Sequence, residues 1–194
     1  MAVVLSTSTI TAQAFRLMEM SPISSFADES EQAQSAKEQY PEALTQCLEA
    51  NDWSFASTVA TLPEASLPVD ADLPYSYVRP GNFVRLIRVQ PDGIAWRLDA
   101  DAIRSDQSGG ITIRYSLKIE NEKVLPSLFK NAVAYRLAAL LAPRWTTSKN
   151  RTEFLARMAD DALAKAKFSD RNSASNSRYD GRDREADIVG DALR

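Results

Sequence analysis

Residues 127–142 read SLFKNAVAYRLAALLA, a segment with the apolar pattern of a buried helix. Its large apolar side chains recur every three or four residues and form a wide stripe along one side of a predicted helix: Leu128, Phe129, Val133, Leu137, Leu140 and Leu141. Pro143 follows at once and predicts that the helix ends near residue 142. A stripe of this width must be buried, so we expect the helix in the core of a helical bundle.

Three further helices are predicted around it. One covers about residues 150–169, opens at Asn150 with Glu153 three residues on, and carries its own apolar stripe. Two more cover about residues 9–20 and 29–50. The expected core consists of the large side chains that these stripes bring together: Tyr40, Leu44, Leu48, Phe129, Val133, Leu137, Leu140, Met158 and Leu163.

Between the second and third helices the apolar period changes from about four to two. The runs VRLIRVQ (84–90), IAWRLD (94–99) and GITIRYSLKI (110–119) are separated by the turn signals PDG and QSGG. Alternation along these runs places Trp96 and Tyr115 on a buried face, and Arg97, Arg114 and Lys118 on the opposite one. The pattern predicts a small antiparallel meander over about residues 76–119.

Together these elements predict an α+β fold: a helical bundle of about four helices with a small antiparallel β-sheet inserted between helices 2 and 3. We assign residues 1–172 to one domain. Residues 173–194 form an extended C-terminal arm beyond it.

The C-terminal arm is too polar to build a core of its own. Its first half is rich in serine, asparagine, arginine and aspartate, whereas ADIVGDALR at its end carries a small apolar face with Ile188, Val189 and Leu193. Such a segment cannot offset its ordering entropy alone. We expect it to be disordered in the free subunit and to order on a partner, the alternative being a frayed terminus without function.

The side-chain inventory argues against an enzyme. None of the 194 residues is a histidine, which removes the commonest general base and most catalytic zinc sites. The single cysteine, Cys47, lies on an apolar helix stripe. Asp70 and Asp72, or Asp99 and Asp101, could bind magnesium, but turns and linkers favour aspartate for local hydrogen bonding. We therefore expect no catalytic residue, metal or cofactor.

Charge and hydropathy narrow the classes of partner. The formal net charge is −3, whereas dedicated nucleic-acid-binding domains usually carry a basic excess. A DNA-binding module that uses Arg97, Arg114 and Lys118 on the exposed sheet face remains the alternative hypothesis. No apolar run approaches the length of a membrane span, and the N-terminus has no basic region followed by a long apolar one. We expect no membrane partner and synthesis in the cytoplasm.

Several phrases of the sequence, in the same order, resemble one known family. AFRLMEMSPISSFADESEQAQSAKEQYPEALTQCLEANDWSFAS (14–57), LPYSYVRPGNFVRLIRV (73–89) and LPSLFKNAVAYRLAALLAPRWTTSKN (125–150) are similar to phrases of the tail tubular protein A family of phage head-to-tail connectors. In the first phrase the matching residues are Ile23, Ser25, Phe26, Glu29, Ser30, Tyr40, Trp53, Phe55 and Ala56. The segment after Ala56 and the chain beyond Ser169 match no phrase of that family.

The resemblance implies a structural protein of the virion, located in the neck between capsid and tail and assembled in the host cytoplasm. Such an adaptor forms a ring, expected to be a dodecamer, which docks on the portal protein and presents its other side to a downstream tail or nozzle protein. DNA passing through the channel is a further candidate contact. Within this role the arm residues expected to bind the portal or a neighbouring subunit are Arg178, Tyr179, Arg182, Arg184, Ile188, Val189 and Leu193, and the subunit-interface candidates are Arg97, Arg114 and Lys118.

Overall fold

A computed structural model of the chain describes residues 8–173. Over this range the chain forms four α-helices: α1 (Thr9–Leu17), α2 (Glu31–Glu49), α3 (Ser127–Trp145) and α4 (Lys149–Ser173). Two short 3₁₀ helices, Ser54–Ala56 and Glu122–Val124, precede the strands and α3 respectively. The predicted α+β class and the four helices are confirmed.

The β region is larger than predicted and is divided in two. It comprises β1 (Ser57–Leu62), β2 (Tyr75–Val78), β3 (Phe83–Gln90), β4 (Trp96–Leu98), β5 (Ala102–Ser105) and β6 (Ile111–Leu117). The first sheet has the order β1-β6-β3 and the second the order β2-β5-β4, and all pairs are antiparallel. The prediction of one meander was therefore wrong: β3 pairs with β6, and β4 and β5 form a hairpin between them.

Helix α3 is the centre of the bundle and packs against α1, α2 and α4. Phe129, Val133, Leu137 and Leu141 are buried, and so are Ala132, Ala134 and Ala138. Small residues on the remaining sides let three neighbouring helices approach α3 closely. Leu128, which was expected on the buried stripe, is 44% exposed, and Leu140 is only partly buried.

The outer helices complete this core as expected. Tyr40, Leu44 and Leu48 of α2 are buried in it, and Leu163 of α4 packs against it. Met158, which was also expected there, is only partly buried. On α4 the residues that reach the centre are instead Leu155 and a row of alanines, because a close helix pair favours small side chains at the contact.

The helix ends differ from the expected ones by a few residues. Ser148 replaces Asn150 at the start of α4, where its Oγ accepts a 3.3 Å hydrogen bond from the backbone N–H of Arg151. Pro143 does not end α3, which runs on to Trp145. A proline in the last turn removes only one backbone hydrogen bond, and Thr146 N still donates to the Ala142 carbonyl at 2.8 Å.

A second, smaller core joins the two sheets. It contains Tyr77 and Ile103 from the second sheet, and Leu62, Val89, Ile111, Ile113 and Tyr115 from the first. Tyr115 lies on the buried side, as predicted. The two sheets therefore share one core, while Val84 and Leu117 of the first sheet also pack against the helical core.

Candidate functional site

Arg97 lies on the exposed side of β4 and is held by two carboxylates. Its Nη2 donates to Asp70 Oδ2 and its Nε to Asp99 Oδ1, both at 2.8 Å, and Asp99 also accepts from Arg104. The hydrogen bonds from Arg97 and from two backbone N–H groups lower the pKa of Asp70 to about 2. The pKa of Asp99 is also lowered, with Arg97 as the main cause. The charge of Arg97 is thus compensated within its own subunit.

Arg114 and Lys118 lie in the other sheet. Arg114 of β6 is 24% exposed at its side chain and forms a 3.5 Å ion pair with Asp52, while Lys118 follows β6 and is exposed. The three predicted interface cations therefore do not share one sheet face, contrary to the expectation that Arg97, Arg114 and Lys118 lie together. The physical reason is that β4 pairs with β5 and not with β6.

The exposed face of the β region carries an apolar groove of about 510 Å³ between the two sheets. Its floor and walls are formed by the apolar side chains Phe83, Val84, Leu86, Trp96 and Leu98. Arg79, Arg85 and Glu49 lie at its rim. We call this feature the Trp96 groove.

The exposure of Trp96 contradicts the prediction that this residue lies in the core. The alternation places it on one face with Ile94 and Leu98, and it was expected in the core, but it is 46% exposed and Leu98 is 42% exposed. Alternation shows which side chains share a face, whereas burial requires a second layer over that face. Large apolar side chains in an open groove are typical of a protein-binding surface.

Glu122 connects α1, α2 and the segment before α3, and no sequence signal identified it. Its carboxylate is almost fully buried and accepts hydrogen bonds from Tyr40 Oη at 2.8 Å, Thr9 N at 3.2 Å and Ser8 Oγ. A carboxylate at the first turn of α1 also interacts favourably with the helix dipole. The hydrogen-bond donors to this carboxylate all belong to the protein, so Glu122 stabilises the packing of α1, α2 and the segment before α3.

Asp170 fixes the end of α4 to the start of the β region. Its carboxylate is buried and accepts from the backbone N–H of Ser54 at 3.2 Å and from the Ser54 hydroxyl. The helix therefore continues to Ser173, next to the 3₁₀ helix that leads into β1. The predicted arm residues Arg178, Tyr179, Arg182, Arg184, Ile188, Val189 and Leu193 lie outside the described residues.

The side chains considered as candidates for catalysis or metal binding lie in environments that have structural explanations. Burial raises the pKa of the Cys47 thiol to about 11, which opposes formation of a thiolate. Asp70 and Asp99 are the partners of Arg97. Among residues 8–173 no cluster of three or more histidine, cysteine, aspartate or glutamate side chains could hold a metal ion. In the same range, no helix has the length and apolar character needed to cross a bilayer.

The described residues thus provide an open apolar groove and three basic interface candidates that do not share one sheet. Comparison with known proteins adds no assignment to this, because no model of a known protein family and no curated protein matches the sequence.

Proposed function

We propose that this chain is a structural head-to-tail adaptor of a tailed bacteriophage. In this proposal identical subunits form a ring, expected to be a dodecamer, that docks on the portal protein and joins it to the tail or nozzle around the DNA channel. The chain performs no catalysis and needs no cofactor in this role. It acts in the virion, in the neck between capsid and tail, after assembly in the host cytoplasm.

The observation that carries the proposal is that the phrases similar to the tail tubular protein A family meet in one core. Phe26 and Tyr40 of the first phrase are in ring contact, with centroids 5.7 Å apart. Trp53 and Phe55, at the end of that phrase, each lie 4.9 Å from Phe129 of the last phrase. Matching residues that are distant in sequence and packed in space support a shared fold, because core positions constrain one another.

The subunit has exposed surfaces that are suited to contact neighbouring subunits in a ring. A ring of identical subunits needs two different faces that pair with each other, and this subunit has an exposed apolar groove as well as long exposed helix faces. Phe154 and Phe168 on α4 are 49% and 67% exposed. Isolated apolar residues of this kind are ordinary, but two on one long helix add a second candidate contact surface.

Electron microscopy and native mass spectrometry of the full chain test the proposal. The chain should form rings, alone or when mixed with portal rings from the phage that encodes it. Assembly on the portal counts equally, since such rings can require a template. A chain that stays monomeric and leaves portal rings bare under all these conditions would refute the adaptor function.

The DNA-binding alternative has less support. Arg97 is compensated by Asp70 and Asp99, and Arg114 is paired with Asp52, so neither is a free phosphate-binding cation. Phosphate contacts would produce an affinity that falls steeply as salt rises. Retention of duplex or single-stranded DNA at low salt, with that dependence and with loss of binding in Arg114→Gln or Lys118→Gln, would favour this function over the adaptor.

A further inference from the structure

The Trp96 groove is an open apolar surface, in which Trp96 and Leu98 are exposed while Val84 and Leu86 are half-buried. Trp96 and Leu98 lie at one side of it and Val84 and Leu86 at the other, so a narrow apolar segment could contact both sides at once. The two basic side chains at the rim, Arg79 and Arg85, outnumber the one acidic residue, Glu49. A complementary occupant is therefore a short segment that carries both apolar and acidic side chains.

One segment of this chain has that chemistry. Residues 185–193 read EADIVGDAL, with three carboxylates and no basic side chain. Its apolar residues are Ile188, Val189, Ala192 and Leu193, and the carboxylates of Glu185, Asp187 and Asp191 are interspersed with them along the segment. We propose that residues 185–193 occupy the Trp96 groove of their own subunit before the subunit assembles.

The place where the described chain ends favours the same subunit. Asp170, near the end of α4, is hydrogen-bonded to Ser54, three residues before β1. In the first sheet, Ser57 lies opposite Ser116, which lies opposite Arg85 at the rim of the groove. Two strand spacings separate Ser57 from Arg85, a distance of about 10 Å.

The intervening chain has a suitable length. Residues 174–184 are eleven residues that connect the end of α4 to the proposed docking segment. A flexible linker of this length has a root-mean-square span of about 18 Å, which exceeds the two strand spacings between Ser57 and Arg85. A matched linker gives an effective concentration on the order of millimolar, so a weak individual contact is sufficient for docking.

The proposal goes beyond the adaptor function. It also differs from the expectation, drawn from the sequence, that the C-terminal arm is disordered in the free subunit. It gives the arm two positions: its own groove in the free subunit, and the portal or a neighbouring subunit after assembly. Docking covers Trp96 and Leu98 until that exchange. Premature association of free subunits through the exposed groove is thereby reduced.

Paramagnetic relaxation in the full-length chain tests the docking. A nitroxide is attached to Gly190→Cys, a substitution that keeps every apolar and every acidic side chain of the segment. Buried Cys47 should not react with the label at neutral pH. The expected result is selective broadening of the Trp96 indole N–H signal, assigned with Trp96→Phe, while the indole signal of buried Trp53 is less affected.

A matched pair of variants establishes specificity. Ile188→Asp/Val189→Asp removes the apolar face and should abolish the broadening at Trp96. Ser175→Asp/Ser177→Asp adds the same charge to the connecting chain and should retain it. In a mixed sample, the ¹⁵N-labelled chains carry no nitroxide and the nitroxide-labelled chains carry no ¹⁵N. This sample should show no broadening at Trp96, since the contact lies within one chain.

Three results would overturn the proposal: no broadening at Trp96, equal broadening in both double variants, or broadening that persists in the mixed sample. The last result would assign the groove to the arm of a second copy. None of these outcomes bears on whether rings form on the portal, so docking and the adaptor function are tested separately.

Discussion

The Tyr40 hydroxyl donates a 2.8 Å hydrogen bond to the buried carboxylate of Glu122, 82 residues later in the chain. The same carboxylate accepts from Thr9 N at the start of α1. One buried acidic group therefore holds α1, α2 and the approach to α3 in register. Because Tyr40 is also one of the residues that resemble the connector family, this contact links the proposed identity to the stability of the bundle.

Tyr40→Phe should destabilise the subunit by about 1–3 kcal/mol, because a buried carboxylate loses a charge-assisted hydrogen bond while the ring is retained. Urea unfolding followed by circular dichroism measures the change. Tyr135→Phe on α3 is the matched control, as the hydroxyl of that partly buried tyrosine makes no hydrogen bond among residues 8–173. Equal losses in the two variants would mean that the Tyr40–Glu122 contact contributes nothing.

Leu137→Ala should destabilise the subunit by about 2–5 kcal/mol, because the fully buried side chain leaves a cavity at the centre of the bundle. Leu128→Ala, on the same helix but 44% exposed, should lose much less. Thermal and urea unfolding of the two variants provide the comparison. A loss near zero at Leu137 would show that α3 presents a different face to the core.

The pKa of Asp70 should rise from about 2 towards 3.8 in Arg97→Gln, because the hydrogen bond from Arg97 is the largest cause of its lowering. A lowered carboxyl pKa stabilises the fold above the unfolded value near pH 4, and this contribution is lost as the pH falls towards 2. Carboxyl ¹³C titration by NMR measures the shift. Arg88→Gln, whose partner is Asp92, is the control and should leave Asp70 unchanged.

The helices were predictable because their signal is local. The spacing of Phe129, Val133 and Leu137 places them on one side of a helix whatever surrounds it, and a side that apolar must be buried. Helix ends were less predictable because alternative caps compete over a few residues. Ser148 and Asn150 both suit the start of α4, and tertiary packing selects between them.

Strand pairing was not predictable, since it depends on residues far apart in sequence. Strand β1 has no simple alternation and is stabilised by pairing with β6, about fifty residues later. Likewise, the pattern around Trp96 identified the face it shares with Leu98 but not whether another layer covers that face. The Trp96 groove and the burial of Glu122 both arise from such long-range contacts.

Arg114→Glu should leave the subunit folded and weaken ring assembly, if Arg114 contributes to the subunit interface. The new carboxylate would lie near Asp52 but opposite Arg88, so we expect a loss of only about 1 kcal/mol in stability. Arg157→Glu on the exposed face of α4 matches the charge change and should assemble normally. Analytical ultracentrifugation and electron microscopy with portal rings compare them. Normal assembly of Arg114→Glu would exclude Arg114 from the interface.

Deletion of residues 174–194 should leave a folded subunit that no longer attaches to the portal ring. The buried residues of the described chain extend no further than Asp170, so the bundle and its tie to Ser54 are retained. The removed segment carries the apolar residues Ile188, Val189 and Leu193, which are suited to anchor in a partner's groove. Thermal unfolding checks the fold, and co-sedimentation with portal rings checks attachment.

The two double variants separate an anchor from a mere terminus. Ile188→Asp/Val189→Asp should reproduce the loss of attachment seen in the deletion, because desolvating two carboxylates opposes burial of that face. Ser175→Asp/Ser177→Asp should attach like the unmodified chain, because it keeps the apolar face and changes only the connecting residues. If the deleted chain sediments with portal rings as fully as the complete one, the C-terminal arm has no part in attachment and the adaptor must bind through the bundle or the sheets.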